Sequence, residues 1–237
     1  MKRGLISVAL ACVAMTAGCA TRGAGAASED PGQVALGWAF DPARIFVGDV
    51  RPSSDDQVVL EVSASLRDDY IPAYSLAIAY RCRAVETLGR IKCGYTARTL
   101  RVGPPGEGQF DRGLMFLSRL RNARTVQEMR PLMDGQTGLQ WLEADVDACP
   151  QGIFAIDSVR VTNWRPDIHY PLQPRNEREI ILHPAQIRVK MIGTYTTTTY
   201  QGWVLADGVP AAVRTLLDTL EPCWTPATSP KPWERGE

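Results

Sequence analysis

Four cysteines, Cys82, Cys93, Cys149 and Cys223, are the residues whose type and number point most directly to chemistry. An even set beyond the first 19 residues reads as two disulfides made in an oxidising compartment. Zinc is the competing use of such a set. It is disfavoured because no C-x-x-C occurs and neither histidine stands at ligand spacing. Of the three possible connectivities, Cys82–Cys93 and Cys149–Cys223 are expected. The first pair flanks an apparent hairpin turn at Glu86–Gly89, and the second ties a mid-chain segment to the last helix. No metal or other cofactor is expected.

Histidine is scarce, with His169 and His183 alone. His169 lies in Asn163–Glu179, a stretch with three prolines and few apolar residues that reads as a long irregular loop. Trp164, Arg165, Asp167 and His169 within it compose a polar binding cluster or, with a nucleophile elsewhere, a weak acid–base pair. A surface loop braced by Pro166 and Pro171 explains the same residues more simply. A serine nucleophile is not indicated: there is no G-x-S-x-G, and Ser158 after Asp157 lacks a strand–turn–helix setting. The carboxylate pairs Asp55/Asp56, Asp68/Asp69 and Asp145/Asp147 read as turns or solvated strand faces. Gly103–Gly108 is no phosphate loop, because no Lys-Ser/Thr follows it. Thr194–Tyr200 (TYTTTTY) has strong strand propensity and would present hydroxyls and the Tyr195 ring, with Trp203 just beyond, to a sugar or to another strand. The candidate binding residues are therefore Trp164, Arg165, Asp167, His169, Tyr195 and Trp203. No catalytic residue is assigned.

The first residues supply an address. Lys2 and Arg3 precede an uncharged apolar run, Gly4–Met15, followed by small residues up to Cys19. Positive, apolar and small, in that order, is the layout of a secretory leader, and a span of the membrane would need about 20 apolar residues. Thr16-Ala17-Gly18-Cys19 resembles the lipobox of bacterial lipoproteins, with Thr16 where leucine is usual. The resemblance implies cleavage before Cys19 and lipidation of that cysteine. With Ala20 rather than aspartate after it, it implies the outer membrane, facing the periplasm. Several acyl chains, at about 0.8 kcal/mol per buried methylene, hold more firmly than one. Ordinary secretion, with cleavage after Ala24-Gly25-Ala26, is the alternative. The 26 basic and 26 acidic residues balance. Such a chain has no field to gather nucleic acid, so that class of partner is set aside.

The remaining elements must hold whatever site exists. Residues 1–18 read as signal peptide and 19–33 as a flexible tether. Residues 34–224 read as a single α+β domain, and 225–237 as a disordered Pro-rich tail. A short strand is expected at Arg44–Val47. Val58–Leu66 alternates as a half-buried strand, and Tyr74–Val85 with Arg90–Val102 forms a hairpin that sets Cys82 opposite Cys93. Asp111 opens a helix to Arg121, and Thr125-Val126-Gln127-Glu128 is a capping box for a second, to about Met133. The arginines of this region, Arg112, Arg119, Arg121, Arg124 and Arg130, read as a solvated face. Leu139–Val146 carries both helical and strand spacings and is assigned as strand, followed by a helix opened by Pro150. A last hairpin, 180–192 with 198–206, leads into a helix from Pro210 that Pro222 stops. The expected architecture is an antiparallel sheet, a meander plus a C-terminal hairpin, with three to four helices on one face. The function expected is that of a lipid-anchored, non-enzymatic envelope module whose partner is another envelope protein or a cell-wall polymer. A periplasm-facing hydrolase using Asp167 and His169, and a carbohydrate or peptidoglycan binder, are the alternatives.

Overall fold

One disulfide-closed hairpin sets the register of the whole sheet. The computed structural model describes residues 39–49, 56–65, 72–85, 90–103, 119–120, 122–123, 125–164 and 185–235. Strands β2 (Pro72–Val85) and β3 (Arg90–Val102) pair antiparallel with Cys82 opposite Cys93, and these two cysteines are bonded. β1 (Gln57–Ser65) completes the meander on one side and β4 (Leu139–Asp145) extends it on the other. The C-terminal hairpin, β5 (Gln186–Ile192) and β6 (Thr197–Trp203), joins through β5 to β1, and the two-residue β7 (Thr225–Pro226) joins β4. The strand order is β6-β5-β1-β2-β3-β4-β7, and every pairing is antiparallel.

Helices α1 (Val126–Asp134), α2 (Gly152–Val161) and α3 (Val209–Leu220) cover the sheet. The Thr125 hydroxyl caps α1 by accepting the Glu128 N–H at 3.2 Å, the first half of the capping box. Pro210 sits in the first turn of α3, and Pro222 lies in the 3-10 turn Glu221–Cys223 that ends it. α2 begins at Gly152, two residues later than the Pro150 start expected. Gln151 before it takes a left-handed φ of 61°, and a Cβ on Gly152 would come within 2.4 Å of the Val146 carbonyl oxygen.

The α+β architecture and both disulfides match the reading of the sequence. The cover does not stay on one face. α2 and α3 pack on the face carrying Leu60, Val62, Leu76, Ile78, Ala97, Ala144 and Val189. Full burial of Val213, Leu216 and Leu220 there is worth about 1.5–3 kcal/mol per side chain. α1 lies on the opposite face with Ala77, Ala79, Leu100 and Trp141. Burial on both faces also explains the mixed spacing of Leu139–Val146. Leu139 and Trp141 serve one face while Ala144 serves the other, so a true strand imitates helical periodicity.

Two further expectations are corrected on this second face. The strand expected at Arg44–Val47 is instead a 3-10 turn, Pro42–Arg44, with a turn after it. Pro42 pre-sets φ, and Asp41 accepts the Ala43 N–H, so the chain curls and drops Ile45 and Phe46 into the core. The tail expected to be disordered from Thr225 is ordered through Arg235. After β7, Trp233 is 1% exposed and its indole N–H donates to Asp134. Composition misled here because a few anchors, rather than a periodic apolar pattern, hold this segment. Arg130, read as part of a solvated face, is one of them, donating to the carbonyls of Trp233 and Glu234. The leader, Cys19, the tether and most of the Asp111–Arg121 helix lie outside the described residues.

Candidate functional site

A cavity of about 360 Å³ opens between α3 and the ends of β2 and β3. Ala73 and Tyr74 line it from β2, and Thr99, Arg101 and Val102 from β3. Leu217, Asp218, Glu221 and Trp224 close it from the C-terminal end of α3 and just beyond. Each is placed by a local cause. Tyr74, Thr99 and Arg101 share a sheet face because Tyr74 stands opposite Arg101 in the register, with Leu76 opposite Thr99. Leu217, Asp218 and Glu221 fall together at helical spacing. Trp224 is held from both sides: Cys223 before it is bonded to Cys149, and Thr225 and Pro226 after it pair with Glu143 and Leu142 of β4.

Polar groups in this cavity divide into satisfied and open ones. Arg101 donates to Gln140 at 2.9 Å and grips Glu221 with both terminal nitrogens, at 2.5 and 2.9 Å. Those hydrogen bonds hold the Glu221 carboxyl below its ordinary range, against an opposing push from partial burial. The Thr99 hydroxyl donates to the Ser75 carbonyl at 3.0 Å. By contrast, the Tyr74 hydroxyl and the Trp224 indole nitrogen are both buried with no hydrogen-bond partner among the described residues. Burial pushes the Tyr74 phenol well above the usual tyrosine range, with Arg214 pulling weakly the other way, so it stays protonated. The Arg214 guanidinium is itself engaged with the carbonyls of Val204 and Ala206. An unpartnered buried polar group costs about 1–3 kcal/mol, and these two belong to residues that line the cavity.

The candidate residues named from the sequence do not come together. Trp164 packs against the helix-side core, its indole nitrogen donating to the Val159 carbonyl at 3.1 Å. Trp203 pairs opposite Gln186 at the far end of β6, and the alternation with Tyr200 turns it to the other face. Tyr195 is 96% exposed in the turn between β5 and β6, roughly 20 Å along the hairpin from Trp203. Arg165, Asp167 and His169 lie outside the described residues. Ser158 spends its hydroxyl on the Phe154 carbonyl one turn back. Asp145 and Asp147 accept backbone N–H groups, Asp145 within its own turn and Asp147 from Tyr95. Among the described residues no three His, Cys, Asp or Glu side chains gather to hold a metal, and no helix is long and apolar enough to cross a membrane.

No protein-family model, curated protein or solved structure matches this chain. Reading the sequence missed Tyr74, Arg101, Asp218, Glu221 and Trp224. One signal was available: Tyr74, like Tyr80, puts a polar tip on the strand face that carries Leu76 and Ile78. What that tip faces depends on α3, which lies more than a hundred residues further along the chain.

Proposed function

We propose that this chain is an exported envelope protein, lipid-anchored through Cys19, that works by binding rather than by turning over a substrate. The observation that carries the reading is the coupling of the cavity to a disulfide. Cys223 sits between Glu221 and Trp224, and its bond to Cys149 fixes the turn that brings both to the cavity. A site whose walls depend on an oxidised pair belongs to an oxidising compartment. That agrees with the leader-like start, Met1 to Cys19. The cavity mouth carries a guanidinium held by Glu221 and Gln140 and the exposed carboxylate of Asp218, groups suited to recognition. The other envelope component or wall polymer would be engaged there, with the anchor setting the distance to the membrane.

The test is expression of the full chain in a bacterial host with fatty-acid labelling. Label on the wild type, and neither label nor membrane retention for Cys19→Ala, is the expected result. An unlabelled, unprocessed protein with reduced cysteines would overturn the reading.

A further inference from the structure

We infer that β6 is the docking edge for a second copy of this chain. Two β6 strands pair antiparallel about a two-fold axis at Tyr200 and join two sheets into one. This goes beyond the reading above and rests on neither the anchor nor the cavity.

The two edges of the sheet are built differently. β7 forms one edge with two residues, one of them Pro226, which has no N–H to offer. β6 forms the other with seven residues, Thr197–Trp203 (TTTYQGW). It carries no charge and no proline, and its register with β5 runs without a bulge. Short length, charge, proline and bulges are the usual guards against edge pairing, and β6 has none of them.

Which backbone groups face outward follows from the ladder. The Gly193 N–H donates to the Thr196 carbonyl at 2.8 Å, and the Val204 N–H to the Ala185 carbonyl at 3.0 Å. Both pairs continue the β5–β6 register at its two ends, so the even-numbered residues of β6 bond to β5. The N–H and C=O groups of Thr197, Thr199, Gln201 and Trp203 therefore point away from β5. Among the described residues, the one such group with a hydrogen bond is the Trp203 carbonyl, which accepts from Ala206 at 3.1 Å. The side chains of these four residues share the face opposite buried Tyr200, and Thr197, Thr199 and Gln201 are exposed.

A second copy fits this edge by phase and by charge. Pairing about Tyr200 sets Thr197 against Trp203 of the second copy, and Thr199 against Gln201 of the second copy. Every outward-facing residue then meets an outward-facing one, as the ladder requires. Moving the axis to Thr199 or Gln201 leaves one of the four without a strand partner, and a slip of one residue mismatches them all. No charge meets a like charge across the axis. The basic residues beside the strand, Arg188 and Lys190, stand one strand back on β5, opposite Gln201 and Thr199. Thr197 against Trp203 is a favourable cross-strand pair, β-branched on aromatic. A foreign strand is chosen by pockets or charge beside an edge, and β6 carries no charge for it to read. Because the far edge is blunted, the assembly closes at two copies.

Sedimentation velocity of the oxidised full-length protein in mild detergent, from about 1 μM to about 1 mM, reads the association. A monomer–dimer equilibrium is expected, with nothing larger. The contact is small, so the dimer should dissociate on dilution. Thr199→Lys with Gln201→Lys sets two like-charged pairs across the axis and should weaken the dimer roughly tenfold. Thr199→Lys with Gln201→Glu sets two opposite pairs there and should tighten it instead. Both double variants change only exposed side chains, so the fold is kept. Amide exchange gives a second readout. The N–H groups of Thr197, Thr199 and Gln201 should be protected in the dimer and exchange fast on dilution, while those of Thr198 and Gly202, bonded to β5, stay protected throughout. A monomer at every concentration, a species beyond the dimer, or a dimer that the two double variants leave unchanged or shift alike overturns the proposal. The Cys19→Ala chain should dimerise as the wild type does, so the docking edge and the anchored-module reading fail independently.

Discussion

The two faces of the sheet treat buried polarity in opposite ways. On the face covered by α1 and the C-terminal segment, charge is buried and paired. Arg98 is 4% exposed and bonds Asp49 on one side and Glu143 at 2.6 Å on the other, with its guanidinium 4.8 Å from the centre of the Phe46 ring. Arg235 reaches in from the C-terminal segment to Asp49 and to the carbonyls of Arg44 and Val47. The buried polar atoms without a hydrogen bond there include the hydroxyls of Ser75 and Ser229 and the Nε atoms of Arg44 and Arg81, two residues whose other contacts are made. On the face covered by α2 and α3 the core is almost wholly apolar, yet the Tyr74 hydroxyl and the Trp224 indole nitrogen are buried there with no hydrogen-bond partner among the described residues. The first face uses polar groups to lock distant segments in place. The second buries two neutral polar tips at a cost in stability.

Arg98 is where breaking the paired face should cost most. Arg98→Ala leaves Asp49 and Glu143 without their shared partner, and losing one side of a buried ion pair costs about 3–5 kcal/mol. Urea denaturation of the purified protein measures it. A loss under about 1 kcal/mol would mean that the network is solvated and that its ions are not structural.

The disulfides give the next effect down and tie the two faces' stability to the site. Replacing Cys149 and Cys223 by Ala opens a 74-residue separation, against 11 residues for Cys82 and Cys93. Chain entropy alone makes these worth about 4.5 and about 3 kcal/mol, with measured values commonly lower. The ordering is the prediction: the long-range bond costs more stability, and its removal also disturbs Trp224 fluorescence, which removal of the hairpin bond does not. Equal costs and equal fluorescence would separate the site from the Cys149–Cys223 bond.

Local pattern made the framework of this sheet readable. Alternation through β2 and β3 set Cys82 opposite Cys93, Thr125 marked the start of α1, and Pro210 that of α3. These features depend on neighbours within a turn or a hairpin. The candidate site was not readable, because Tyr74, Arg101 and Trp224 meet only after α3 docks on the far ends of two earlier strands. The Trp-Tyr residues that looked available, Trp164, Tyr195 and Trp203, were chosen by type, and type does not say which side of a covered sheet a ring will take. The ordered C-terminal segment escaped for a related reason. Its hold comes from Trp233, Arg235 and the partners Asp134 and Asp49, and none of these leaves a period in the sequence.

Tyr74→Phe tests the open face with a smaller and opposite sign. Removing a buried hydroxyl that has no protein partner relieves its desolvation, so thermal unfolding should show no loss, and a gain of up to about 1 kcal/mol. On the paired face, deleting a partnered charge such as Arg98 destabilises instead. A clear drop in melting temperature for Tyr74→Phe would show that the hydroxyl is structural, and the contrast between the faces would fail.

The smallest effect is the pH response of the ion pair at the cavity mouth. Hydrogen bonds from Arg101 hold the Glu221 carboxyl below its ordinary value of 4.5. A carboxyl depressed in the folded state stabilises the fold above its unfolded value. That contribution is lost as pH falls through the lower, folded value. Stability should therefore decline on the acid side, beginning near 4.5 and continuing below it. The Glu221 side chain is 57% exposed, so solvent screens the pair and the slope is slight. Glu221→Gln, unfolded in urea from neutral pH to below 4.5, should lose this part of the slope while matching the wild type most closely at the acid end. If the variant keeps the whole slope, Arg101 is not holding Glu221 in solution. The freed Glu221 carboxylate would then be matched by a freed Arg101 guanidinium, and the net charge at the cavity mouth would stay as it is.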